Sequence, residues 1–352
     1  MNIFTDYHHS GLLYSFHLLF EKRLGHRIYR PIGMEWFDKG FWNIAKPYGN
    51  NIETVKQFLS MRDTQSLNGS PPLNTIVGRN PMHPFYRVYD SYHDYEQKAL
   101  SFMQFLEMDI DIIIASIPDH WATYKRLRDQ FKPKAKLICH MGNMFNEISE
   151  KMHDGTVDNL MASTIAFPHP TFVNSAFYYQ EQPLVEFKPT LTTNKKITSF
   201  AHVLPKKEMY EQYKNALPEF EFKAFGATCP DGWMKSILEL YKTMQDSMFV
   251  WHVKPGGDGY GWNWHSAFLT GRPILTTFSD YKDKLGGLLF EDGITGVDLE
   301  KRPFDDNIKY IKDIVTNNQL QIMQEECRKR FDKYVNYDNE QTKVKTFLEN
   351  LH

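Results

Sequence analysis

The chain has 352 residues and a formal net charge of −2, with 41 Lys+Arg against 43 Asp+Glu. That balance excludes a global polycation of the kind that coats nucleic acid or an anionic membrane, and leaves room only for a local basic groove. The length suits two domains of ordinary size, and 26 Phe, 19 Tyr and 7 Trp read first as core material.

Three scattered cysteines, Cys139, Cys229 and Cys327, match neither a disulfide framework nor zinc spacing. They fit a reducing compartment, with the cytoplasm as the default. Met1 to Asp6 shows no cationic leader before an apolar run, so no signal peptide is expected. No apolar run is long enough to predict a transmembrane helix.

Residues 2–6 read as a first strand, followed by a polar loop, Tyr7-His8-His9-Ser10-Gly11. Leu12, Phe16, Leu19 and Phe20 recur at spacings of three and four, which predicts an amphipathic helix over 12–24 closed by Gly25. Ile28-Tyr29 opens a second strand, and this order argues for a parallel sheet. Residues 33–95 are rich in Gly, Pro, Asn and aromatics with little periodicity. They read as an insertion of short elements burying Trp36, Phe37, Phe41, Trp42 and Tyr48. A helix is expected over 96–108, a buried strand over 111–116, a helix over 124–131 and a strand over 135–139. His140-Met141-Gly142-Asn143 then reads as a loop at the carboxyl end of that strand. A strand near 163–167 and Pro-rich turns over 168–189 complete the first domain.

A break at Leu191-Thr192-Thr193-Asn194 introduces a second domain in which elements alternate. Strands are expected over 197–203, 220–225 and 248–253, and helices over 207–216 and 233–245. Residues 308–334 read as mostly helical, and 338–352 as a last helix. The predicted organisation is α/β: residues 1–192, then 193–335, then a terminal segment, 336–352.

The stretch from Lys254 to Ile274 organises the second domain. The loop Lys254-Pro255-Gly256-Gly257 follows a strand, Asp258-Gly259-Tyr260-Gly261 follows the loop, and a short helix follows Gly261. Gly271 suits a left-handed C-terminal cap, Pro273 blocks continuation, and Ile274 opens the next strand. A glycine-rich loop between a strand and a helix N-terminus suits an anion such as a phosphate.

Asp-Gly-Tyr-Gly, four residues, then Ser-Ala-Phe-Leu-Thr-Gly-Arg-Pro-Ile keeps the register of a known motif, Glu-Gly-Phe-Gly, four residues, then Glu-Ala-Met-Ala-x-Gly-x-Pro-Val. Asp292-Gly293-Ile294-Thr295-Gly296-Val297 matches a second motif, Asp-Gly-x-Thr-Gly-hydrophobic, in the expected order. Over residues 195 to 300 the chain resembles the retaining glycosyltransferases of the GT-B fold; before that the likeness is schematic. The resemblance implies two Rossmann-like domains facing across a deep interdomain cleft, with residues 336–352 returning to the first domain. It implies a metal-independent transferase that takes a sugar from a nucleotide-diphosphate sugar, with no further cofactor. The acceptor would be a hydroxyl of a glycan, an envelope precursor or another small molecule, or of a hydroxylated DNA base. A sugar-nucleotide epimerase and a non-catalytic sugar or nucleotide binder share this architecture and remain the alternatives.

The same resemblance assigns residues. Gly259, Tyr260, Gly261 and Trp262 would present backbone N–H groups to the donor phosphates, or simply form a tight turn. Ala201-His202-Val203-Leu204-Pro205-Lys206-Lys207 stands where the family has Gly-Arg-hydrophobic-x-Pro-x-Lys. His202 then replaces the phosphate-binding Arg and Lys207 is the Lys, with Lys206 beside it; a solvated helix start is the other reading. Asp258 takes the first acidic position of the paired-Glu motif and Ser266 the second, where a Glu holds the ribose. A serine is too short and neutral to bridge two hydroxyls. Either His265 or Asn263 substitutes, or the donor is held differently, or donor binding is lost. His140 is the candidate beside the donor sugar, or else a satisfied core histidine. Gly11 belongs to the first loop facing the cleft, where Asp6, His8 and His9 are candidates for taking the acceptor proton, with Glu35 a weaker one. Asp109-Ile110-Asp111 has the Asp-x-Asp form of metal-dependent glycosyltransferases but enters an isoleucine strand, so it reads as a strand entrance and no metal site is expected.

Overall fold

Ile112-Ile113-Ile114 shows how the sequence builds the first lobe. A continuous β-branched run suits a parallel strand buried on both faces, and all three side chains are buried. Ile113 points into a cluster with Phe4, Leu137, Cys139 and Leu160. Ile112 and Ile114 point the other way, into a cluster with Ile3, Ile138 and Met161, as the two-residue period of a strand requires. The structure, a computed structural model, describes residues 1–5, 12, 15–31, 98–100, 102–115, 121–141, 158–164, 172–182, 188–201, 204–226, 228–234, 237–257 and 259–352. The insertion expected over 33–95 lies outside them.

The first sheet contains β1 (Asn2–Thr5), β2 (Arg27–Pro31), β3 (Lys98–Leu100), β4 (Ile112–Ala115), β5 (Lys136–Met141), β6 (Asn159–Ala162) and β7 (Asn174–Phe177). Its order is β3-β2-β1-β4-β5-β6-β7, and the pairings are parallel. Between these strands lie α1 (His17–Arg23), α2 (Phe102–Glu107) and α3 (Trp121–Arg126). α1 is π-helical, and α3 runs on into a π-helical segment, Leu127–Phe131.

Four expectations shift. The helix expected from residue 96 begins as β3, because Lys98, Ala99 and Leu100 pair with Tyr29, Arg30 and Pro31 at the sheet edge. The strand expected near 163–167 lies earlier, at β6. β7 occupies a stretch that read as turns. β5 also runs one residue past His140, which places that histidine inside the sheet rather than in a loop.

The second sheet contains β8 (Lys196–Phe200), β9 (Glu221–Phe225), β10 (Phe249–Trp251), β11 (Ile274–Thr276) and β12 (Gly296–Asp298), in the order β12-β11-β10-β8-β9. These pairings are parallel too. α4 (Lys207–Ala216) and α5 (Ile237–Gln245) connect the early strands, and α6 (Trp262–Leu269) joins β10 to β11. α7 (Phe304–Thr316) and α8 (Gln319–Tyr334) follow, separated at Asn318, which is left-handed. α9 (Tyr337–Glu349) starts where the Asn336 side chain accepts the N–H groups of Asp338 and Asn339, both at 3.1 Å, a regular helix N-cap. Its Val344, Phe347 and Leu348 bury themselves against Ile3, Ile112 and Met161 of the first lobe, and Glu340 accepts the Tyr179 N–H at 3.1 Å. The terminal helix thus starts from the second lobe and packs on the first.

His140 is 1% exposed, bonded through Nε2 to the Tyr178 hydroxyl at 2.8 Å and set edge-on to Phe16. Burial holds its pKa down at about 3, and burial does the same for His265, aided by the charge of Arg328. An unfolded chain binds protons at both imidazoles below their ordinary value of about 6.5, whereas the folded chain refuses them until about 3. Their stability contribution is therefore complete above about pH 6.5 and is lost as the pH falls towards 3. We expect a loss of about 2 kcal/mol per histidine between pH 7 and pH 5, read from urea midpoints. His140→Gln should flatten that slope, and an identical slope in the variant would contradict this account.

Candidate functional site

The glycine-rich stretch after β10 does two jobs, and the first is mechanical. Tyr260 donates its N–H to the carbonyl of Ser163 at 3.1 Å, and Leu285 donates its own to the carbonyl of Thr164 at 3.0 Å. Ser163 and Thr164 follow β6 of the first lobe, so these bonds join the lobes. Gly259 is left-handed at φ 64, and a Cβ there would fall 2.5 Å from Thr164 Cα. This glycine therefore permits one backbone to approach another. The seam extends through Tyr179, whose ring meets Tyr260 edge-on at 4.8 Å and whose hydroxyl donates to the Leu285 carbonyl at 3.3 Å. Behind it, the hydroxyls of Tyr260 and Tyr337 reach His265 Nδ1 at 2.6 and 3.1 Å.

The second job is to wall a cavity. A hollow of about 450 Å³ opens at the carboxyl ends of β8 and β10, lined by residues 199–201, Pro205, residues 251–255 and Asn263. Asn263 sits in the first turn of α6 and donates its amide to the Phe200 carbonyl, with His252 Nδ1 at 3.3 Å. α4 begins just after Pro205. Neither α4 nor α6 carries a side-chain cap at its N-terminus, so both present the positive end of the helix dipole to this edge of the sheet. Lys254 lines the hollow, and Lys206 and Lys207 stand exposed at the start of α4. None of the described lining residues is acidic.

Set against this geometry, the sequence candidates divide. Lys206, Lys207 and Asn263 lie at or beside the cavity, and Gly261 is the N-cap of α6 with Trp262 its first residue. Tyr260 does not offer its amide to a ligand, because Ser163 takes it; its side chain is fully buried. His265 and Ser266 are fully buried; His265 belongs to the seam, which leaves Asn263 as the residue near the missing carboxylate that faces the cavity. His140 is enclosed in the first sheet and does not act at a surface here. Asp258, His202, Gly11, Asp6, His8, His9 and Glu35 lie outside the described residues. Asp111 accepts the Asn2 N–H at 2.7 Å and the Asp109 carbonyl accepts the Asn2 amide at 2.8 Å: the Asp-x-Asp stretch ties β1 to the entrance of β4. The Asp292 motif is a turn held by Arg302 and Lys301, at 2.6 and 2.9 Å. The sequence reading missed Phe200, His252 and Lys254, although Lys254 stood in the quoted loop.

Among solved structures, HepE from Anabaena, in complex with UDP-glucose, matches with a TM-score of 0.59 and 11% identity, over 99% of both chains. Sucrose-phosphate synthase from Thermosynechococcus elongatus matches with a TM-score of 0.53 and 10% identity, over 99% of this chain and 98% of that one. The chain has the GT-B glycosyltransferase fold. An S. aureus TarM variant in complex with fondaparinux, alpha-GlcNAc-glycerol and UDP matches with a TM-score of 0.52 and 13% identity, covering 67% of this chain. The match spans 55% of TarM's own length. No family model and no curated protein sequence matches the chain. Among the described residues no helix is long and apolar enough to cross a membrane.

Gly259 and Gly256 offer a matched test of the seam. Gly256 is left-handed at φ 74 but a Cβ there meets nothing within 4 Å, so Gly256→Ala should cost only the backbone strain, about 1 kcal/mol. Gly259→Ala adds a backbone collision between the lobes and should cost about 2 kcal/mol more in urea unfolding. Equal losses for the two variants would show that the lobes do not meet there.

Proposed function

We propose that the chain is a glycosyltransferase that moves a sugar from a nucleotide-diphosphate sugar to an acceptor hydroxyl, with the donor seated in the cavity of the second lobe. The observation that carries this reading is one hollow, lined by Lys254 and by no described carboxylate, at the uncapped starts of two helices, with Lys206 and Lys207 exposed at the start of one of them. A nucleoside diphosphate gains negative charge as the sugar leaves. Pre-set N–H dipoles and ammonium groups stabilise that charge without reorganising. In this reading they do so in place of a bound metal, and the donor is the only small molecule required besides the acceptor.

The phosphate contacts fall to the second half of the expected cradle. Gly261 and Trp262, rather than Tyr260, stand at the mouth of α6, and Lys206 and Lys207 stand at the mouth of α4. Asn263 Nδ2 is committed to the Phe200 carbonyl, so its Oδ1 is the atom assigned to a donor hydroxyl. Asp258 and His202 keep the places the family resemblance gives them. His140 is dropped, because its ring is buried. The acceptor, a glycan or other small-molecule hydroxyl, would meet the donor from the first-lobe side, where the loops after β1, β4 and β5 lie outside the described residues. The cytoplasm, where sugar nucleotides are available, is the proposed location.

The UDP recorded with HepE and TarM sets the first probe. Titration calorimetry should show binding of UDP, or of another nucleoside diphosphate in a panel, about tenfold or more tighter than the matching monophosphate. Lys254→Ala should reduce that preference. Absence of binding across the panel, or equal affinity for mono- and diphosphates, would remove the reading; interconversion of the donor sugar would assign an epimerase instead.

A further inference from the structure

The loop that walls the cavity is a turn with an unusual need for support. Gly257 donates its N–H to the Lys254 carbonyl at 2.9 Å, closing Lys254-Pro255-Gly256-Gly257. Proline at the second position and a left-handed glycine at the third is the pattern of a type II turn. Gly257 is left-handed as well, at φ 58. Two consecutive glycines have little conformational preference of their own, so what fixes the turn must come from outside it.

Asp280, in the short 3-10 turn Phe278–Asp280 after β11, meets that need. Its Oδ1 accepts the Gly256 N–H at 2.7 Å, and its Oδ2 accepts the Thr277 hydroxyl at 2.8 Å. Lys284, one helical turn further on, donates to the Gly256 carbonyl. Gly256 is thus held by its N–H and by its C=O, from one short segment. Gly257 lies flat on that segment, where a Cβ would collide with the Asp280 carbonyl oxygen. The same carboxylate lies 3.9 Å from Lys206 Nζ, beside the N-terminus of α4. One side chain therefore holds the loop wall and lies close to the cation at the start of α4.

We propose that Asp280 is a positioning residue for the donor diphosphate: it sets the Lys254–Gly257 turn, so that the cavity meets the phosphates already formed. This deepens the donor-site reading above and rests on it for the identity of the ligand. It makes an uncommon sign prediction. A carboxylate near an anion site repels the anion, so on charge alone its removal tightens binding. As the support of the turn, its removal weakens binding, because the ligand must then order the loop.

The test measures two things on the full chain. Hydrogen exchange at the Gly256 amide reads the turn without any ligand. Calorimetry with UDP, or with whichever nucleoside diphosphate the wild-type chain binds, reads the consequence. Asp280→Ala should raise Gly256 exchange and weaken diphosphate binding by about tenfold, the loss of a charge-assisted hydrogen bond. Asp280→Asn keeps an oxygen for the Gly256 N–H and should restore both readouts to within about threefold of wild type. Unchanged exchange in Asp280→Ala, or tighter diphosphate binding, overturns the proposal. Failure of Asn to rescue overturns it equally. Should Asp280→Ala not fold, Lys284→Met carries the test: it frees the Gly256 carbonyl and should loosen the same amide, and unchanged exchange there counts against the proposal. A wild-type chain that binds no nucleoside diphosphate refutes the donor reading, while the exchange result still decides what Asp280 does.

Discussion

Two backbone hydrogen bonds, Tyr260 N–H to Ser163 O and Leu285 N–H to Thr164 O, are the constraint around which the molecule is arranged. Each is worth only about 1 kcal/mol net, as such bonds usually are. Their importance is geometric, because they force two main chains into contact without intervening side chains. That demand explains the sequence on the second-lobe side. Gly259 must be glycine to clear Thr164, and Gly286 must be glycine because a Cβ there would strike Gly259 and Trp264. Large rings fill the space behind: Trp264 stacks on Phe268 with centroids 5.7 Å apart, and Tyr260, Tyr179 and Leu285 share their cluster. α9 reinforces the join from the other end, anchoring Tyr337 against His265 and its own apolar face against the first sheet.

The cavity follows from this arrangement. Once Gly259 and Tyr260 are tied to the first lobe, the chain enters α6 directly, with Gly261 extended at φ −85 and ψ 173 and no side chain capping the helix. The lining of the hollow is then set by the carboxyl ends of β8 and β10, where parallel α/β sheets place ligands. Asp280 and Lys284 fix the remaining wall. Structural support and cavity lining are thus divided among neighbouring residues: the buried ones carry the seam, and Pro205 and Asn263, beside the starts of α4 and α6, line the hollow.

Much of the fold was legible from the chain. The isoleucine run at 112–114, the alternation of strand and helix after residue 195, and the Gly271-Arg272-Pro273 helix stop each reflect local rules that tertiary packing did not override. β3 and β7 were missed because each is short, of three and four residues, and each is defined by a neighbouring strand rather than by its own pattern. His140 misled for a related reason. A histidine near a strand end looks functional, but β5 runs to Met141, and the ring is taken up by Tyr178 and Phe16. The site was half legible. Gly259 signalled close backbone approach correctly, but a sequence cannot say what approaches, and here it is the other lobe. Asp280 was invisible, since its partner Gly256 is distant in sequence and a lone aspartate after a strand has many ordinary uses.

The most direct test of this division is an experimental structure of the chain with a bound nucleoside diphosphate. The account predicts phosphates at the mouths of α4 and α6, near Lys254, with the Tyr260 N–H still on the Ser163 carbonyl. A phosphate on the Tyr260 N–H with that interlobe bond broken, or a diphosphate bound away from the hollow, would contradict it.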